Sequence, residues 1–204
     1  IGGARLAAVG YSSVTGVMIR HHGYVDIGLD DMVRTRTINK DIETFLTAAS
    51  KANLCVLVAG YPGAGKTTFV RGLLAPVPPQ EKIATIETEW ELYLNKLPER
   101  HWQVLDLQYV PPQSGNADSV AGITLEECLD DALRASVQRI VFAEIKSIEA
   151  PIALRAMMAG KGSVSTIHAG SADDSIHRFA DILMGELGLS DDTVPLRQIG
   201  RSVN

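Results

Sequence analysis

One loop constrains this chain more than any other stretch: Gly60-Tyr61-Pro62-Gly63-Ala64-Gly65-Lys66-Thr67. It fits G-x-x-x-x-G-K-[S/T], the pattern of a loop that wraps phosphate groups. Glycines at 60, 63 and 65 let the backbone turn through positive φ and aim successive N–H groups at one anion, and the loop residues Gly60, Pro62, Gly63, Ala64 and Gly65 are expected to surround the phosphates. Lys66 adds a compact positive charge for the outer phosphates. The Thr67 hydroxyl suits a Mg²⁺ ion, and Thr68 continues into a helix whose N-terminal dipole favours anions. The expected ligand is ATP with Mg²⁺, although no motif that reads the base is evident.

The flanks have the order such a loop requires. Leu54-Cys55-Val56-Leu57-Val58-Ala59 is a short continuous apolar run, as a buried parallel strand should be. Thr67 to Leu74 has a helical pattern, stopped by Pro76, Pro78 and Pro79. Upstream, Asn39 can cap a helix from Lys40 to about Lys51, with Ile42, Phe45, Leu46 and Ala49 as one buried stripe. Downstream, the apolar stretches 83–87, 104–107, 139–144 and 163–168 read as strands. Helical patterns fall at about 148–158 and 173–184, and a further helix starts at Thr124. Thr124 and Glu127 form a capping box there, and Leu125, Cys128, Leu129 and Ala132 form the stripe. Residues 111–116 read as a loop. Gly160 is placed to close the helix that ends near Met158.

Strands alternating with helices predict an α/β fold with a largely parallel sheet, a P-loop NTPase (RecA-like) domain over residues 38–204. Residues 1–37 read as the end of a preceding domain and a linker, with a short strand at 17–22 and a helical turn at 29–33. The start, Ile1-Gly2-Gly3-Ala4-Arg5, has no Met and no charged region followed by an apolar one, so the chain is expected to continue at that end, and at Asn204 too.

In sheets of this kind ligands bind beyond the carboxyl ends of the strands. Lys66, Glu87, Glu144 and His168 all stand at or just past those ends. Glu144 closes an apolar strand and suits a group that orients or deprotonates water, and with Thr67 it can hold the metal. Glu87 has a similar place, yet Glu89 and Glu91 follow it, which also fits an exposed acidic edge. His168 suits a sensor of the terminal phosphate, or a histidine that merely ends a strand.

Composition narrows the function. The chain is 46% hydrophobic over 204 residues, enough for a sizeable core, and no apolar run approaches the roughly 20 residues that span a bilayer. Net charge is −5, and residues 81–131 hold eleven acids against three bases, which argues against a surface that coats nucleic acid. Cys55 and Cys128 both sit on apolar faces and read as reduced core residues.

Four stretches together resemble the secretion-ATPase superfamily of type II and type IV systems, and are most similar to its CpaF/Tad-pilus branch. They are the phosphate loop, the acidic stretch Ile83 to Leu92, the stretch Arg139 to Glu149, and Gly162-Ser163-Val164-Ser165-Thr166-Ile167-His168-Ala169. Met18-Ile19-Arg20-His21-His22 also resembles the short basic strand that leads into the family's linker. Three positions depart from the pattern. Thr88 stands where a second acid is usual, Lys146 replaces an arginine and its fork of donors, and Gln108 to Pro112 lacks an arginine.

The resemblance implies a hexameric cytoplasmic ATPase on the inner face of the cytoplasmic membrane. It would dock on an inner-membrane platform protein and drive pilus assembly or export, with no direct nucleic-acid partner. It makes Arg20 a candidate for reaching the phosphates from another domain or subunit, with Arg34 and Arg36 as weaker ones. A regulatory nucleotide-binding subunit with weak hydrolysis and a DNA translocase are the alternatives.

Overall fold

A computed structural model describes residues 4–10, 16–21, 26–112, 121–159 and 162–204. Two sheets are present among them. Strands β1 (Ala4–Val9) and β2 (Gly16–His21) form an antiparallel ribbon. Five parallel strands form the second sheet: β3 (Val56–Ala59), β4 (Lys82–Glu87), β5 (Gln103–Gln108), β6 (Arg139–Ile145) and β7 (Gly162–Ile167). Their spatial order is β3-β7-β6-β4-β5. The all-parallel α/β sheet is the predicted fold class. β1 was not anticipated, because its run Ala-Arg-Leu-Ala-Ala-Val, though bracketed by Gly2-Gly3 and Gly10, lacks the apolar–polar alternation of a half-buried strand.

Side-chain alternation sorts the strands onto two cores. Ala84, Ile86, Ile140 and Phe142 face one side, and Ile83, Val141 and Val164 face the other, all nearly or fully buried. Helices α1 (Leu29–Arg34), α2 (Lys40–Lys51) and α3 (Lys66–Leu74) precede β4 in the chain. α3 contributes Val70, Leu73 and Leu74 to the second core. Helices α4 (Leu125–Arg134), α5 (Glu149–Met158), α6 (Ala172–Leu187) and α7 (Thr193–Ser202) cover the first. This is the three-layer arrangement that a sheet apolar on both faces demands.

Local signals account for most element ends. The Asn39 side chain accepts the Ile42 N–H at 2.8 Å, and both bonds of the capping box at Thr124 and Glu127 form. Gly188, at φ +63°, closes α6. The helix expected over 173–184 therefore runs further, and α7 was not anticipated. Gly160 and most of the loop expected at 111–116 fall outside the described residues.

The stripe expected on α2 is corrected. Ala49 is buried and Leu46 half-buried, but Ile42 is 44% and Phe45 68% exposed. α2 meets α3 at Ser50, whose hydroxyl donates to the Leu73 carbonyl at 2.7 Å, and Leu46 packs against the core that α3 lines. The inward face of α2 is thus Leu46, Ala49 and Ser50, and Ile42 and Phe45 lie outside it. Cys55 and Cys128 are buried thiols of the first core, in no disulfide, and burial pushes both up.

Candidate functional site

The sheet order decides which strand ends meet. β7 lies between β3 and β6, so its carboxyl end stands beside the phosphate loop, and that of β6 comes next. β4 is one strand further out, about 14 Å from β3 at ordinary spacing.

The loop that follows β3 turns through Gly63 at φ +78° and Gly65 at φ +88°, values that favour glycine. A Cβ on Gly60 would crowd that of Ala64 at 3.2 Å, so the first glycine serves close packing within the loop. Lys66 folds back over it. Its ammonium donates to the Gly60 carbonyl at 3.0 Å and the Tyr61 carbonyl at 3.4 Å, and lies 2.9 Å from His168 Nδ1. On the far side of the ring, Nε2 lies 2.5 Å from Glu144 Oε1. Glu144 Oε2 lies 2.8 Å from the Lys146 ammonium.

A chain of four groups thus runs across three strand ends. An imidazole with its hydrogen on Nε2 serves both contacts, since Nδ1 then accepts from the ammonium and Nε2–H donates to the carboxylate. Burial pulls Lys66 below the usual lysine range, while Glu144 and then Glu91 oppose that shift.

These groups border a cavity of about 410 Å³. Pro62, Gly63, Gly65, Lys66, Thr67 and Thr68 line one side, and Glu91, Glu144, Lys146 and His168 the other. Glu144 and His168 therefore stand together at the loop. Glu87 does not line the cavity. It is only 1% exposed, so it is no surface acid either. Its Oε2 accepts the N–H groups of Glu91 at 2.8 Å and Leu92 at 3.0 Å. Burial is the main cause that pushes its carboxyl up to about 7; the two N–H bonds pull it down, and Asp106 and Glu91 push it up further.

The acid that reaches the cavity from this corner is Glu91, which sequence reading had grouped with the acidic edge. It accepts the Thr67 hydroxyl at 3.1 Å. Its signal was its place four residues after a strand-end acid, in the stretch that closes back on the loop.

Arg20 lies in β2 opposite Arg5, with its side chain outside the described set. Arg34 pairs with Asp31, and Arg36 is exposed; neither lines the cavity.

The residues fit a phosphate group carrying Mg²⁺. The Gly60 and Ala64 N–H groups already donate to the Ile167 and Tyr61 carbonyls, so the N–H groups open to a phosphate are those of the first turn of α3, which starts at Lys66. The Thr67 hydroxyl donates to Glu91 and keeps its lone pairs for a cation. Among the described residues no three His, Cys, Asp or Glu side chains are grouped as a metal-holding set. A Mg²⁺ ion bound through one hydroxyl, a carboxylate and phosphate oxygens needs no such set.

Comparison with known proteins matches residues 4–199 to the family described as type II/IV secretion system protein. The chain belongs to that family. Within this type II/IV secretion family, it is 37% identical over 143 residues to the type IV secretion system protein PtlH of Bordetella pertussis, 70% of this chain and 40% of that one. The matched part thus covers only 40% of that relative's length.

Among solved structures, the VirB11 ATPase of the Brucella suis type IV secretion system, in complex with sulphate, superposes with a TM-score of 0.65. It has 22% identity and covers 99% of this chain and 66% of its own. The pilus retraction motor PilT with bound ADP superposes with a TM-score of 0.64 at 17% identity, over 99% of this chain and 57% of its own. Both carry the same fold. Among the described residues no helix is long and apolar enough to cross a membrane.

Proposed function

We propose that this chain hydrolyses ATP with Mg²⁺ as the motor portion of a type II/IV secretion or Tad-type pilus assembly system. The observation that carries the reading is the chain of contacts from Lys66 through His168 and Glu144 to Lys146 at the mouth of the phosphate loop. Family membership and the folds of VirB11 and PilT support it.

In this reading the loop Gly60 to Gly65, Lys66, Thr67 and Thr68 hold the phosphates. Thr67 and Glu144 hold Mg²⁺, whose charge would offset that developing on the phosphate oxygens. Glu144 takes the proton of the attacking water as the bond to the terminal phosphate breaks and ADP leaves. His168, in contact with both Lys66 and Glu144, changes partners when phosphate displaces the ammonium from it. Arg20 completes the site in a homo-hexamer, and residues 1–37 are the end of a preceding domain. The assembly works in the cytoplasm against an inner-membrane platform protein. Both Glu144 oxygens and the Lys66 ammonium are already engaged, which is the observation that favours the second reading, a regulatory subunit that binds nucleotide and hydrolyses it weakly.

Lys66→Ala tests the shared premise. It leaves the phosphates with backbone donors alone, and the Kd of a fluorescent ATP analogue with Mg²⁺ should rise at least about tenfold. Unchanged affinity would remove the phosphate-site assignment.

A further inference from the structure

The stretch from Thr88 to Leu92 is gripped from two sides. Thr67 and Arg71 lie four residues apart on α3 and so face the same way. Arg71 Nε donates to the Leu92 carbonyl at 3.1 Å, and its Nη2 donates to the Glu91 carbonyl. From the other side Glu87 Oε2 accepts the N–H groups of the same two residues. Every backbone polar group of Glu91 and Leu92 is thereby engaged by one buried acid and one buried base. The Glu91 side chain is left to point along α3 to the Thr67 hydroxyl.

Such an arrangement is expensive for a turn. Glu87 is 1% and Arg71 6% exposed, and Glu87 Oε1 is buried with no hydrogen-bond partner among the described residues. Desolvating charged groups costs stability that a turn built from apolar or small residues would keep. The cost is accounted for if it fixes the place of one carboxylate.

We propose that Glu87 is a positioning residue: together with Arg71 it locks the Glu91–Leu92 backbone so that the Glu91 carboxylate stands on Thr67 at the cavity wall. Glu87 thus acts through Glu91 and not on the phosphates. The consequence for turnover rests on the function proposed above, whereas the consequence for the backbone does not.

The experiment compares the wild-type protein with Glu87→Gln and Glu87→Met by amide hydrogen exchange over residues 88–92, turnover, and affinity for a non-hydrolysable ATP analogue. Glutamine keeps a carbonyl to accept the two N–H groups. Methionine keeps the volume and loses the acceptor, so it tests the contact with less risk of unfolding than alanine, and thermal melting checks that it is folded. Exchange at Glu91 and Leu92 should speed up at least about tenfold in Glu87→Met and stay near wild type in Glu87→Gln. Turnover should fall at least about tenfold in Glu87→Met, with analogue affinity within about twofold, and stay within about threefold of wild type in Glu87→Gln.

Wild-type exchange in a folded Glu87→Met would overturn the proposal. So would a Glu87→Gln protein with normal exchange but as inactive as Glu144→Gln, because Glu87 would then take part in the chemistry directly. A wild-type protein that binds no nucleotide would remove only the function, and the exchange result would still decide the positioning role.

Discussion

Glu144 and Glu87 look alike in the sequence, each an acid at the end of a short apolar strand, yet they occupy opposite kinds of environment. Glu144, with 19% of its side chain exposed, faces the cavity with one oxygen on His168 and the other on Lys146. Glu87 is sealed between α3 and its own loop, with backbone N–H groups on one oxygen and, among the described residues, no hydrogen-bond partner on the other. Neighbours explain the contrast. β6 adjoins β7, which adjoins the phosphate-loop strand β3, while β4 lies a strand further away. Only an acid carried back by the loop after β4, at position 91, reaches the cavity from that side. An acid at a strand end is a candidate for chemistry, and its distance in strands from the phosphate loop decides what it becomes.

The largest expected effect separates the two acids by chemistry. Glu144→Gln keeps the shape but accepts no proton, and its single carbonyl can replace only one of the two accepting oxygens. Turnover should fall about 10²-fold or more with near-normal ATP binding, as phosphate release and analogue titration would read. Wild-type turnover in this variant would erase the contrast and pass the role to Glu91.

A second effect is thermodynamic and belongs to Glu87 alone. Its folded pKa of about 7 stands above the ordinary 4.5. The stabilising contribution of the protonated carboxyl is therefore complete below about 4.5 and is lost as pH rises through about 7. Above that, wild type carries a penalty on the order of 3 kcal/mol that a glutamine avoids. Glu87→Gln should raise Tm by several degrees at pH 8 and leave it nearly unchanged at pH 5. Buried His101, pulled down to about 4 by burial, Arg100 and Arg139, changes stability in the same range. It does so equally in both proteins, so the difference between them isolates Glu87. Equal shifts at the two pH values would show that the carboxyl does not titrate between them.

The smallest effect refines the environment of Glu144. Lys146→Arg restores a fork of donors beside its Oε2. Turnover should change by no more than about threefold, because the charge already stands 2.8 Å away. A larger change would show that the fork geometry, and not only the charge, governs Glu144.

Much of this molecule was legible without coordinates. Positive-φ glycines, a lysine and a threonine in fixed spacing describe a phosphate loop, because each answers a local steric or electrostatic demand. Caps at Asn39 and Thr124 were likewise readable, since a cap is a contact between residues three apart. Ile42 and Phe45 were misplaced for the opposite reason. Periodicity reveals that a helix has an apolar side, but which part of that side is covered depends on where the neighbouring helix lies, here along Leu46 and Ser50.

The sequence by itself determined the alternation of strands and helices, the phosphate loop, and the set of acids and histidine at the strand ends. Tertiary structure alone decided that His168 bridges Lys66 and Glu144, that Glu87 is withdrawn from the cavity, and that Glu91 replaces it. The physical reason is range. Backbone turns and caps are settled by neighbours a few residues away, whereas the contacts Lys66–His168 and Arg71–Leu92 join residues that only the strand order and the packing of α3 bring within hydrogen-bonding distance.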